Sequence, residues 1–125
     1  MDKTNSRHDT EVLQGEFWAL GILVEDGAGN PFDFTGWTGE FVIRESVASE
    51  QSLLRKNVTF PSSDPEKNVL LEMTATETLN LSDTFQRIRG VYEVRVWDPN
   101  DKEGTADRIL EGVMAIVPSV SREDV

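Results

Sequence analysis

Cysteine is absent from this chain, which excludes a disulfide framework and any thiolate metal site. Histidine occurs once, as His8, inside the polar stretch Met1 to Thr10. A Ser-His-Asp constellation needs its imidazole held rigidly beside the nucleophile, so His8 is expected to be a solvated surface residue. No run of about 18 apolar residues occurs, so no helical membrane span is expected. The first ten residues lack the apolar stretch of a secretory signal, and the missing cysteines fit synthesis in a reducing cytoplasm. Cations are scarce: 12 Lys and Arg face 23 Asp and Glu, giving a net charge of −11 and a pI near 4.4. A field of that sign repels phosphate backbones and anionic lipid, so neither nucleic acid nor membrane is expected as a partner. The nearest approaches to a basic patch, Arg55-Lys56 and Arg87-Ile88-Arg89, read as a solvated face or as ion-pair partners.

What is present is one domain's length, 125 residues, with a hydrophobic signal of period two. Trp18, Leu20, Ile22 and Val24 alternate with the smaller set Phe17, Ala19, Gly21 and Leu23. Alternation sends successive side chains to opposite faces of a strand, so the larger set is predicted to face the core. Glu25 to Pro31 ends that strand with turn residues. Spacing by two resumes at Trp37, Gly39, Phe41 and Ile43, predicting a second long strand over 37–44. Residues 45–52 read as a loop. Leu53, Leu54, Val58 and Phe60 predict a third strand with an irregular middle, Pro61 to Lys67 a turn or loop, and Val69, Leu71 and Met73 a fourth strand.

Between Thr74 and Arg89 the N-cap-like residues are Thr76 and Ser82-Asp83, but Leu79 and Leu81 hold no long stripe, so a single helical turn is predicted. Gly90 opens the clearest strand, with Tyr92, Val94 and Val96 set against Glu93, Arg95 and Asp98. A hairpin loop over Asp98 to Gly104 leads to two last strands, Arg108 to Glu111 and Gly112 to Val117, stopped by Pro118. Six or seven strands separated by turns argue a two-layer β-sandwich, with a small barrel as the alternative. The run 113–117, apolar on both faces, predicts a covered mid-sheet strand or an interface.

Reactive motifs are missing. The loop Asp98 to Gly104 offers several oxygens, but an EF-hand reading started at Asp98 fails at Lys102, Glu103 and Ile109. The carboxylates Asp26, Asp33, Glu72, Glu93 and Glu111 are scattered rather than paired across an aromatic cleft. Gly27-Ala28-Gly29 is a turn, since Phe32 and the lack of a following helix break the dinucleotide pattern. The sequons at Asn57 and Asn80 are chance matches without a secretory route. Trp18 and Trp37 fall on the inward set, whereas Trp97 lies out of phase with its strand's core residues and suits a contact anchor.

Four segments, in order, resemble the small β-sandwich modules of tail, baseplate and fibre-associated proteins of tailed phages and prophages. They are Gln14-Gly15-Glu16; Asp26 to Gly36, similar to a D-x-x-G-x-P-x-D-L-T-G turn with Phe34 in place of Leu; Gly90 to Val96, similar to G-x-Y-x-[VL]-x-[VL]; and Ile109 to Arg122, similar to L-L-x-G-x-[VL]-x-[VL]-x-P-x-V-T-R with Ser121 in place of Thr. The likeness spans most of 14–122. The polar N-terminal stretch and the Pro99 to Ala106 insertion depart from the pattern.

The resemblance implies an all-β fold, an immunoglobulin-like antiparallel β-sandwich of about seven strands with one short helical turn. It implies a virion structural role without catalytic residues, cofactor or metal. The expected partners are other virion structural proteins on neighbouring tail, baseplate or fibre subunits, with the chain oligomeric inside the assembly. The expected organisation is a polar N-terminal arm over 1–13 that orders on assembly, a sandwich over 14–122 and a tail over 123–125. The expected contact residues are Trp97, Phe17, Asp98, Asn100 and Asp101. A carbohydrate-binding or receptor-binding decoration module is the alternative, with Phe17 and Trp97 as its aromatic pair.

Overall fold

The computed structural model describes residues 6–61 and 66–119. Among them are eight strands and two short helices: β1 (Ser6–Arg7), β2 (Thr10–Leu13), β3 (Trp18–Ile22), β4 (Thr38–Arg44), β5 (Leu54–Asn57), β6 (Val69–Met73), α1 (Ala75–Leu79), β7 (Ile88–Trp97), α2 (Lys102–Thr105) and β8 (Asp107–Val117). The fold is mostly β. One sheet runs β1-β8-β7-β4-β5, with β2 also on β8, and the other pairs β3 with β6. The chain after β5 leaves the large sheet: Val58 N–H donates to Gly39 O, and Thr59 then bridges Leu70 beside β6. That crossing is the irregular middle expected of the third strand.

Side-chain alternation builds one core between the layers. Phe41, Ile43, Tyr92, Val94 and Val96 from the large sheet and Val69, Leu71 and Met73 from the small one are all buried. Trp18 stacks on Phe41 across the gap, ring centroids 5.8 Å apart, as its place on the larger set requires. At one end Phe34 stacks on Phe60 at 4.8 Å, with Phe32 and Trp37 packed around them. A register shift between Val94 and Arg95 turns both Ile109 and Leu110 inward, the usual effect of one extra residue in a strand.

Several expectations are corrected. Residues 6–13 are no free arm. Ser6-Arg7 and Thr10 to Leu13 pair in parallel with β8, so the large sheet is mixed rather than purely antiparallel. The anchor is Val12, wholly buried opposite Ile116. Burial of such a side chain contributes on the order of 1.5–3 kcal/mol. The rest of the expected arm and the tail over 123–125 lie outside the described residues.

Residues 107–117 form one continuous strand rather than two, and β7 starts at Ile88, two residues before Gly90. The helical turn is capped by Thr74, not Thr76 or Ser82. Thr74 Oγ1 accepts from Glu77 N–H at 3.1 Å while Glu77 Oε1 accepts from Thr74 N–H at 2.9 Å, a full capping box. A second helical turn, α2, fills the 98–106 loop.

Candidate docking surface

The outer face of the large sheet gathers the arginines. Register places Arg55, Val42, Glu93 and Glu111 in one row, with Arg7 beyond; Arg44, Val91 and Val113 form the next. Arg89 and Ala115 follow, then Glu11 on β2. Arg95 lies between Glu40 and Arg108, and Arg87 pairs with Glu11 at 3.3 Å. These are seven of the eight arginines in the sequence; the eighth, Arg122, lies outside the described residues. A strand shows alternate residues on one face, and here that phase collects guanidinium groups around an apolar strip of Val42, Val91, Val113 and Ala115.

Part of the charge is compensated locally. Arg108 contacts Glu111 at 3.1 Å and Glu93 at 3.8 Å, Arg7 contacts Asp9 at 3.2 Å, and Arg55 pairs with Glu40. Exposed pairs of this kind contribute at most about 1 kcal/mol each. Arg44 instead closes the loop after β4, donating to Ser49 O and Glu50 O at 3.0 Å. Arg89 and Arg95 are exposed and make no ion pair among the described residues. Val42, Val91 and Val113, with Arg7, Arg44 and Arg108, line a groove of about 280 Å³, and Val47 beside them is almost fully exposed.

Trp97 ends β7 on this same outer face, opposite Thr38, with Lys102 Nζ 4.3 Å from its ring centroid. A cation over an indole face is attracted by the ring quadrupole, and the contact holds α2 beside the strand. Asp98 and Asp101 are employed inside their loop. Asp98 Oδ1 accepts from Asn100 N–H at 3.0 Å, and Asp101 Oδ1 accepts from Gly104 N–H at 3.1 Å. Phe17 is exposed immediately before β3, in the opposite layer. Trp97, Asp98, Asn100 and Asp101 are therefore neighbours, and the structure does not bring Phe17 to them. Sequence reasoning missed the arginine face. Its signal was available as the odd-numbered residues of 87–97, but the face appears only once register sets β1, β2, β4, β5 and β8 beside them.

The segments that carried the family resemblance occupy structural joints. Gln14 Nε2 donates to Leu79 O and Ser82 O at 2.9 and 2.8 Å, pinning the segment after α1. Asp33 Oδ1 accepts from the Thr35 hydroxyl at 2.6 Å and from Thr35 N–H at 3.0 Å. The hydroxyl bond first, then the backbone bond, holds the Asp33 carboxyl below its usual range. Gly36, with φ at +80°, completes that turn in the left-handed region. At Gly112 a Cβ would land on the carbonyl of His8, so glycine alone admits the N-terminal strand there.

Comparison of the sequence with protein-family models and with curated proteins returns no match. Among the described residues no helix is long and apolar enough to cross a membrane.

Proposed function

We propose that the chain is an immunoglobulin-like β-sandwich serving as a non-enzymatic structural module of a tailed-phage or prophage particle. It docks on neighbouring tail, baseplate or fibre subunits in the virion. The observation that carries the fold reading is strand order. A sheet ordered β2-β8-β7-β4-β5 faces a β3-β6 pair, with a first strand parallel to the last and a fifth that crosses between layers. Two facing sheets within about 100 residues match the general plan of such domains. Fold alone does not define function; the step to a virion rests on the four sequence segments, whose residues act as turns, joints and close approaches. Recognition by a rigid scaffold with a patterned outer face is the mechanism. The large sheet offers arginines around an apolar strip, and Trp97 with the 98–106 loop extends that surface.

A glycan-binding reading requires Phe17 and Trp97 on one platform, and their separation leaves docking better supported. The test is mass spectrometry of purified particles from a host carrying the gene. Stoichiometric recovery of the chain supports the reading; its absence from intact particles overturns it.

A further inference from the structure

We infer that the free edge of β3 pairs antiparallel with the same edge of a second copy of this chain, about a two-fold axis at Leu20. The surface belongs to the small sheet, away from the arginine face, and the inference stands apart from the structural-module reading. The first support is the backbone. Leu70 of β6 exchanges both its hydrogen bonds with Thr59, at 2.8 and 3.1 Å. In an antiparallel pair, bonded and non-bonded positions alternate, so β6 bonds to β3 through Trp18, Leu20 and Ile22, opposite Met73, Leu71 and Val69. The neighbouring even positions keep that direction: Glu16 O accepts from Thr78 Oγ1, and Val24 bonds to Asn68 and Phe32. The N–H and C=O groups of Ala19 and Gly21 therefore point the other way, where the sheet has no further strand among the described residues.

The second support is what this edge lacks. Open edges are ordinarily blunted by charge, proline or a bulge. β5 carries Arg55 and Lys56, and the β1–β2 edge carries Arg7 and Glu11 around its break at His8-Asp9. From Phe17 to Val24 the chain has neither charge nor proline, and its register with β6 runs without a bulge from Trp18 to Ile22.

The third support selects the occupant, because the strand is its own complement. A two-fold at Leu20 sets Ala19 opposite Gly21 of the second copy and Phe17 opposite Leu23, so the outward backbone groups bond to one another. The same register lays Phe17 (62 % exposed) on Leu23 (41 %) at both ends of the outer face. On the inner face it covers the half-buried Trp18, Leu20 and Ile22 with Ile22, Leu20 and Trp18 of the second copy. A slip of two residues either way sets Phe17 against Gly21, where the Lys67 stem already lies, or against Glu25. Such a contact uses one patch twice, so it closes at the dimer.

Sedimentation equilibrium of the full chain should show a passage from monomer to dimer that stops there. One strand pair lies at the small end of specific interfaces, so about 10 µM to 1 mM brackets the transition. Two copies of net charge −11 repel, so added salt should strengthen the dimer, screening that repulsion to a reach of about 10 Å at 0.1 M. Ala19→Pro removes an N–H that faces the edge rather than β6, a place where proline is tolerated; it should abolish the dimer and keep the circular-dichroism spectrum. Phe17→Lys and Leu23→Glu should each weaken association about tenfold, since each spoils two cross-strand pairs per dimer. Mixed in equal amounts they should recover most of that loss, because the introduced lysine then faces the introduced glutamate while the remaining Phe17 meets the remaining Leu23. A wild type that stays monomeric throughout that range, assembles past the dimer or is weakened by salt overturns the inference. So does an undiminished dimer in folded Ala19→Pro, or a mixture of the other two variants no tighter than either alone; should Ala19→Pro unfold, that mixture decides.

Discussion

The phenol hydroxyl of Tyr92 donates a hydrogen bond to the backbone carbonyl of His8, tying the centre of the large sheet to the break between β1 and β2. Around it, His8 N–H donates to Glu111 O at 2.9 Å and Asp9 Oδ1 accepts from Val113 N–H at 2.9 Å. Burial first, then the negative charge of Asp9, pushes the Tyr92 phenol up to about 12, while Arg7 pulls it down. A raised phenol favours folding fully below pH 10, and that contribution is lost as pH rises from about 10 towards 12. Tyr92→Phe should cost about 1 kcal/mol at neutral pH and should flatten the alkaline limb of stability. Urea unfolding at stepped pH reads both effects.

Gly112→Ala is expected to dislodge the N-terminal strand. Its Cβ meets backbone at His8, which cannot rotate away. The loss should exceed about 2 kcal/mol, the range for overpacking against a fixed neighbour. Hydrogen exchange should rise selectively over 6–13. Unchanged protection there would show that the strand is held independently of this crossing.

Asn68 is buried, and its side chain acts as a strand partner. Its Oδ1 accepts from Val24 N–H at 2.8 Å, and its Nδ2 donates to Val24 O at 2.8 Å and Phe32 O at 3.0 Å. Asn68→Ala takes away the partner of Val24 N–H and one of the two donors to Val24 O, which keeps Phe32 N–H at 2.8 Å, and should cost roughly 1–3 kcal/mol by the penalty for an unsatisfied buried polar group. Thermal denaturation should show the loss, accompanied by a freer 24–32 turn.

Glu77 both closes the capping box and contacts Lys56 Nζ at 2.6 Å. The Lys56 bond first, then the Thr74 N–H, holds its carboxyl below the usual range. A depressed carboxyl stabilises the fold above the unfolded value, and that share is lost as pH falls through the lower folded value. Glu77→Gln should therefore remove part of the acid-side slope and have less effect at pH 3 than at pH 7. Thr74→Ala should cost about 1 kcal/mol at any pH, measured by the same denaturant titrations.

Strands whose two faces differ in bulk were legible from sequence. The alternation of Trp18, Leu20, Ile22 and Val24, and of Tyr92, Val94 and Val96, corresponds to the core phase observed. So was the turn over Glu25 to Pro31, because its chemistry is local. The N-terminal strand was not, since a single buried residue, Val12, between exposed Glu11 and exposed Leu13 carries no period. Its partner lies about a hundred positions away, and parallel pairing leaves no turn signature. The same holds for the candidate surface: Trp97's outward phase could be read along one strand, whereas the gathering of Arg7, Arg44 and Arg108 depends on register between strands far apart in the chain.

That parallel N-terminal strand also sets a timetable. Residues 6–13 leave the ribosome long before 107–117 exist, and at 5–20 residues per second the wait is roughly 5–20 s. Throughout it Val12 and the matching side of β7 have nothing to close upon, so the sheet is completed only once residues 107–117 have been made. Any signal that halts synthesis early leaves an unsealed layer, and the cell's quality-control machinery has that interval in which to find it.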